Sequence, residues 1–335
     1  MMADVRIGTS GYSFPHWVGT VYPEKTVPSD MLATYAKDFD AVEINFTYYR
    51  DPTPAIFEGM LRKVDPNFTF VIKAPRGMTH ERDAMASVAK PFVQSLAPLR
   101  DAGQLGGVLL QFPQSFHLND LALDHLKHVA DIFVSRGIPT SIEFRHKEWY
   151  EDRVYQYLQK LQLGLVNVDL PRIGSLPTPT NVLTNDVAYF RLHGRNEKAW
   201  YNPPTGSHRY DYLYTDEELQ QWVGRVKGVL DTATKVYIFT NNCHKGSSFV
   251  NGLRLKQYFE QEVRSEADAE GTLFASDDPT ARIVTMTQRV IAARASEAVD
   301  ELVLEAAHDS YSAIDGNEDR TTTPNHEEHE DHEGS

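Results

Sequence analysis

Eight strand-length apolar runs alternate with segments of helical period along this chain, a pattern that few architectures accommodate. The runs are 5–10 (VRIGTS), 40–45 (DAVEIN), 68–74 (FTFVIKA), 106–112 (GGVLLQF), 139–145 (PTSIEFR), 163–169 (LGLVNVD), 187–193 (VAYFRLH) and 235–241 (KVYIFTN). Between them lie amphipathic segments. One is 119–134, with Leu121, Leu123, Leu126, Val129, Ile132 and Phe133; another is 216–230, with Leu219, Trp222, Val223, Val226 and Leu230, started by Thr215 and Asp216. Eight such units predict a single α/β domain, a (β/α)8 TIM barrel. A doubly wound open sheet would want a Gly-rich phosphate turn after the first strand, and none is there.

Charge marks where the barrel stops. Residues 1–260 hold 28 Lys and Arg against 28 Asp and Glu, whereas 261–335 hold 5 against 19, so the net charge of -14 belongs to the C-terminal part. The expected division is a barrel over 1–262 and an acidic, partly disordered tail over 263–335. Within the tail, 281–306 reads as an amphipathic helix through Ile283, Met286, Val290, Ile291, Val299, Leu302 and Val303, and 308–335 reads as disordered. The tail histidines His326, His329 and His332 sit among carboxylates that no turn fixes, which suits a solvated tail better than a metal trap. A 1–262 chain should keep fold and site, unless the 281–306 helix covers apolar surface of the barrel.

A lone Cys243, no leader-like apolar run and no membrane-length segment point to an intracellular, cytoplasmic protein, with the nucleus left open. The neutral charge of 1–260 argues against strong nonspecific nucleic-acid binding. No membrane partner and no redox cofactor are expected.

Strands of a parallel barrel are buried on both faces, so charged residues inside them need a reason. Taking alternate positions, one parity carries Glu43 and Asn45, Lys73, Gln111, Glu143 and Arg145, Asn167 and Asp169, Arg191 and His193, and Asn241, each in the C-terminal half of its strand. Barrel enzymes build their sites at that end, on lumen-facing residues. Ion pairs that merely close the barrel mouth would use the same residue types, but seven strands contributing at one end favour a ligand site. The loops at this end add GYSFPHW (11–17), TYYR (47–50) with Tyr48, HKEWY (146–150), and 194–214 with Arg195, Trp200, Tyr201 and Tyr210. Aromatic faces there suit sugar rings or bases, or else cap the core, an alternative open for Trp17 and Trp149. The proline-rich 198–206 stretch reads as a lid.

The stretches GTSGYSFPHW (8–17), VEINFTYY (42–49), FVIKAP (70–75), LLQFP (109–113), IEFRHKEWY (142–150), YFRLHGR (189–195) and RYDYLYTDEEL (209–219), with the Asn pair 241–242, resemble the YecE-like family, a domain of unknown function. The resemblance covers the barrel to about residue 260 and implies its fold, without supplying a reaction. A wider similarity is to the xylose-isomerase-like barrels, which draw Glu, Asp, His and Glu metal ligands from strands five to eight. The equivalent positions are Glu143, Asp169, His193 and Asn241, so one Mg²⁺ or Mn²⁺ stays open, though Asn replaces a carboxylate and Arg145 stands nearby.

The residues thus give an enzyme reading, a hydrolase or isomerase of a phosphorylated sugar or a phosphodiester. Glu43, Glu143, Asp169 and His193 are its catalytic candidates, His193 as a switch near neutral pH. Asn45, Tyr48, Lys73, Gln111, Arg145, Arg191, Arg195, Trp200, Tyr201 and Asn241 are its binding candidates. Glycoside hydrolysis by Glu43 and Glu143 ranks lower, because strands four and seven lack the usual carboxylates. The alternative is a silent module binding a nucleotide, a glycan or single-stranded nucleic acid. Under the enzyme reading, Glu143→Gln should abolish function and change stability little.

Overall fold

A computed structural model describes residues 3–206, 208–267 and 279–312. The strands are β1 (Asp4–Thr9), β2 (Ala41–Ile44), β3 (Thr69–Lys73), β4 (Leu105–Gln111), β5 (Thr140–Glu143), β6 (Gly164–Asp169), β7 (Val187–Leu192) and β8 (Lys235–Thr240). All are parallel, in the order β1-β8-β7-β6-β5-β4-β3-β2, with helices outside: the (β/α)8 barrel expected from the alternation. The two helices singled out above form as Asp120–Phe133, capped by the Asn119 side chain, and Asp216–Leu230, opened by a reciprocal Thr215–Glu218 capping box.

The first and last strands zip together over six residue pairs, Asp4↔Lys235 to Thr9↔Thr240. Closure between β1 and β2 is different in kind. Only a Ser10↔Glu43 bridge joins them in register, with Gly11 N–H donating to the Glu43 carbonyl at 2.8 Å. Below it the Tyr35 hydroxyl stands in for the ladder: it accepts from Thr9 N–H (2.8 Å) and donates to the Ala41 carbonyl (3.0 Å). Gly8 makes this approach feasible, since a Cβ there would lie 2.1 Å from the Ala41 oxygen and 2.9 Å from the Tyr35 hydroxyl.

The lumen is apolar below and charged above. Ala41, Val71, Leu109, Val166, Val168, Val187, Tyr189, Tyr237 and Phe239 fill its lower part. The opposite parity, such as Val42, Ile44, Phe70, Ile72, Ile142 and Phe144, or Phe190, Leu192 and Ile238, packs against the helices. Trp17 and Trp149 are fully buried in the helix-side core, which places both as core residues.

Helix Pro279–Ser312 extends past the 281–306 segment and into the stretch read as disordered from 308. Residues 313–335, including His326, His329 and His332, lie outside the described residues. The helix packs along the last barrel helix, Ser247–Ala267, and buries Ile283, Met286 and Val290. Its Arg282 pairs with Asp38 at the base of the barrel. Higher up, Arg294 reaches Asp211 (2.6 Å) and Glu297 reaches His244 (2.6 Å), both in loops of the mouth. Val290→Asp is expected to cost at least about 2 kcal/mol of local stability, by setting a carboxylate into an apolar seat. Native-state hydrogen exchange should then show protection lost across 279–297 and kept in the strands; retained protection over 279–297 would mean the apolar seat does not hold this helix. Among the described residues, no helix is long and apolar enough to cross a membrane.

Candidate functional site

Three strands, β2, β5 and β7, deliver one continuous ionic network above the apolar plug. Strand β7 alternates Tyr189, Arg191 and then His193 into the lumen, because Phe190 and Leu192 are drawn to the helix layer. Arg191 is almost fully buried and bridges two carboxylates: Nη1 donates to Glu143 Oε2 at 2.5 Å and Nη2 to Glu43 Oε1 at 2.7 Å. The Tyr189 hydroxyl donates to the second Glu43 oxygen at 2.6 Å, and Arg145 Nε donates to Glu143 Oε1 at 2.5 Å. Burial alone would raise the Glu143 pKa, but the Arg191 and Arg145 guanidiniums outweigh it and hold that carboxyl well below the usual range. Glu143 is therefore a fixed anion.

Lys73 is the cation on the other side of the mouth. Its Nζ donates to Gln111 Oε1 at 2.8 Å and stands 4.2 Å above the Tyr48 ring. Burial first, and then Arg191, bring its pKa down to about 8. His193 is fully buried. Its Nδ1 is 2.9 Å from Asn241 Nδ2 and its Nε2 is 3.3 Å from Glu143 Oε1. Burial, then Arg145, push its pKa down to about 3, so the ring stays neutral at physiological pH and the expected charge switch does not operate.

These groups floor a cleft of about 670 Å³ whose wall includes Ser10, Asn45, Lys73, Gln111, Arg145, Arg191 and Asn241. The Asn45 Oδ1 atom is buried and makes no hydrogen bond among the described residues. Two polar wall residues were not reached from sequence, Ser10, 3.4 Å from Arg191 Nη2, and His244, whereas His16, Arg50 and Tyr210 stand in loops already expected at this end. Tyr189, which fixes Glu43 from below, was likewise missed. Ser10 and Tyr189 carried a usable signal, because both share the lumen parity of their strands; a reading confined to charged and amide side chains passes over hydroxyls.

Strand β6 corrects the parity reading. Val166 and Val168 take the lumen, so Asn167 and Asp169 point to the helix layer. Asn167 binds Thr180 and Val182, and Asp169 accepts from Trp222 Nε1 (3.0 Å) and Arg195 Nε (2.9 Å). Asp169 and Arg195 thus form an ion pair behind the barrel wall, apart from the cluster. Trp200 is buried against Arg145 and Tyr210, and Tyr201 lies over the loops carrying Gln114 and Gly174; neither lines the cleft. The metal set Glu143, Asp169, His193 and Asn241 does not fit a cation either. Asp169 faces away, and two guanidiniums already occupy the Glu143 oxygens.

The family model described as "Protein of unknown function DUF72" matches residues 6–272. The UPF0759 protein YunF of Bacillus subtilis is 28% identical over 287 residues, covering 81% of this chain and 100% of that protein. A DUF72 family protein of Thermotoga maritima superposes with a TM-score of 0.71 at 36% identity, over 77% of this chain and 99% of the other. One from Enterococcus faecalis gives 0.68 at 25% identity, over 76% and 95%. With four-fifths of its length under the family model and the barrel superposing on these relatives, the chain belongs to the DUF72 family.

Proposed function

We propose that the mouth cleft is an active site for a phosphate-bearing small molecule, either a sugar phosphate or a phosphodiester. The observation that carries this reading is the gathering of cations at the mouth: among the described residues Lys73, Arg145 and Arg191 stand together around the carboxylates Glu43 and Glu143, with His193 neutral. All three cations line a partly desolvated cleft, where charge-assisted bonds to an anion are strongest. In this reading Glu43 and Glu143 are not acids. They hold Arg191 in place, while Lys73, titrating near neutrality, is the group able to hand over or accept a proton at the ligand. The motifs that resemble the YecE-like family supply most of these residues. A small phosphorylated ligand accords with a cytoplasmic protein. Hydrolysis and isomerisation are both open to such a site.

A silent binding module is the second reading, favoured by the engagement of both carboxylates with Arg191. Calorimetry with a sugar phosphate and its dephosphorylated counterpart tests the anion site; we expect the phosphate to bind at least about tenfold tighter, as one charged hydrogen bond allows. Equal affinity for the two would replace this reading with a glycan-directed one. Turnover assays on phosphorylated compounds then separate enzyme from module.

A further inference from the structure

We propose that His117, His146 and Glu148 form a binding site for a zinc-class divalent cation on the outer rim of the mouth, separate from the ionic network. One ligand atom from each of the three lies within 4.8 Å of the others, the only such His, Cys, Asp and Glu grouping among the described residues. A tetrahedral ion with bonds of about 2.0–2.1 Å sets its ligand atoms roughly 3.4 Å apart, so modest side-chain rotation closes the site. Two imidazoles and one carboxylate suit Zn²⁺, Co²⁺ or Ni²⁺ rather than the all-oxygen demand of Mg²⁺ or Ca²⁺. Three protein ligands leave the coordination open to solvent.

Two features distinguish this group from an ordinary surface ion pair. The first is convergence on one atom. His146 Nδ1 at 3.4 Å and His117 Nδ1 at 2.9 Å both approach the same Glu148 oxygen, Oε1. Two imidazole nitrogens and a carboxylate oxygen gathered at one point are the donor set such a cation takes. The second is the support beneath. Phe116 and Trp149 stack at 5.1 Å and 5°, Phe144 and Trp149 at 4.2 Å and 2°, and Trp149 Nε1 donates to the Phe116 carbonyl at 2.6 Å. This stack adjoins every ligand in sequence: Phe116 precedes His117 and Trp149 follows Glu148, while Phe144 lies two residues before His146. Leu118 N–H fixes the carboxylate at 2.8 Å, and His117 Nδ1 contacts the same oxygen at 2.9 Å. Rigid backbones and an outer-shell hydrogen bond are how metal sites keep their ligands oriented. A bound ion would tie the loop after β4 to the loop after β5, which also carries Arg145.

The tail histidines could bind metal on their own account, so the test starts from untagged full-length chain with His326→Asn, His329→Asn and His332→Asn. Titrated with Co²⁺, this protein should bind one equivalent with ligand-field absorption, and Zn²⁺ should displace it. His117→Ala and Glu148→Gln should each weaken binding by more than the roughly 10–100-fold that loss of an outer-shell partner costs. His128→Ala, on the exposed face of helix Asp120–Phe133, should leave it unchanged. His117 is 57% exposed, so its removal leaves the fold intact, which a thermal melt checks. Loss of the Co²⁺ equivalent on replacing the tail histidines alone, or its persistence in the His117→Ala/Glu148→Gln double variant, would overturn the assignment.

Discussion

Replacing Arg191 by Met is expected to lower the unfolding free energy by roughly 3–5 kcal/mol at neutral pH, because Glu43 and Glu143 would stay buried with their shared partner gone. The loss should depend on pH in a set direction. Glu143 has a folded-state pKa below its ordinary value of 4.5, so its pairing contributes stability above that value and loses it as pH falls through the folded pKa. The gap between wild type and Arg191→Met should therefore be widest near pH 7 and shrink below about pH 4.5, where the wild type surrenders the same contribution. Urea unfolding at pH 7, 5 and 3.5 measures it. A gap that stays constant over this range would mean that Arg191 contributes packing rather than charge.

Replacing Lys73 by Met should do the opposite, sparing the fold and removing the ligand. The amine is held in its charged form against burial and against Arg191, so a methionine of similar length relieves that cost; stability should be equal or higher. Affinity for a sugar phosphate should fall roughly 10–150-fold, the worth of about 1.5–3 kcal/mol for a hydrogen bond to a charged group. The dephosphorylated sugar should bind the two proteins alike. In the wild type, phosphate affinity should also decline as pH rises through about 8 and Lys73 loses its proton, while in Lys73→Met it should stay flat. A phosphate is already a dianion over that interval, its second pKa being about 6. Calorimetry from pH 7 to 9.5 reads both effects. A wild-type curve with no inflection near pH 8 would remove Lys73 from the anion site.

The contrast between these two residues explains which parts of the site could be read from sequence. Strand positions came within two residues of those observed, because alternation and length are local signals that tertiary packing here does not override. The lumen parity of β2, β3, β4, β5, β7 and β8 followed from placing polar residues inward. That rule failed on β6, where Trp222, Tyr214 and Arg195 give Asp169 a polar seat within the helix layer. Sequence separation hides such compensation: Trp222 lies 53 residues from the carboxylate it serves. Pairing was equally invisible. Arg191 reads as a phosphate contact until its bonds to Glu43 and Glu143 are seen, and Glu143 reads as an acid until two guanidiniums are found on it. For the same reason Glu143→Gln, harmless to stability when read from sequence, now falls in the destabilising class with Arg191→Met.

The β1–β2 seam sets the order in which this protein can be made. As β1 leaves the ribosome, its main hydrogen-bonding partner is β8, more than 220 residues downstream, while its link to β2 is one bridge and a tyrosine hydroxyl. At about 5–20 residues per second, β1 waits on the order of tens of seconds before its partner exists. Through that interval the nascent chain carries an unpaired edge of the kind that templates association with other chains. Ring closure thus waits until β8 has been made, and the barrel that holds the site on β2, β5 and β7 is sealed only when the first strand is reclaimed by the last.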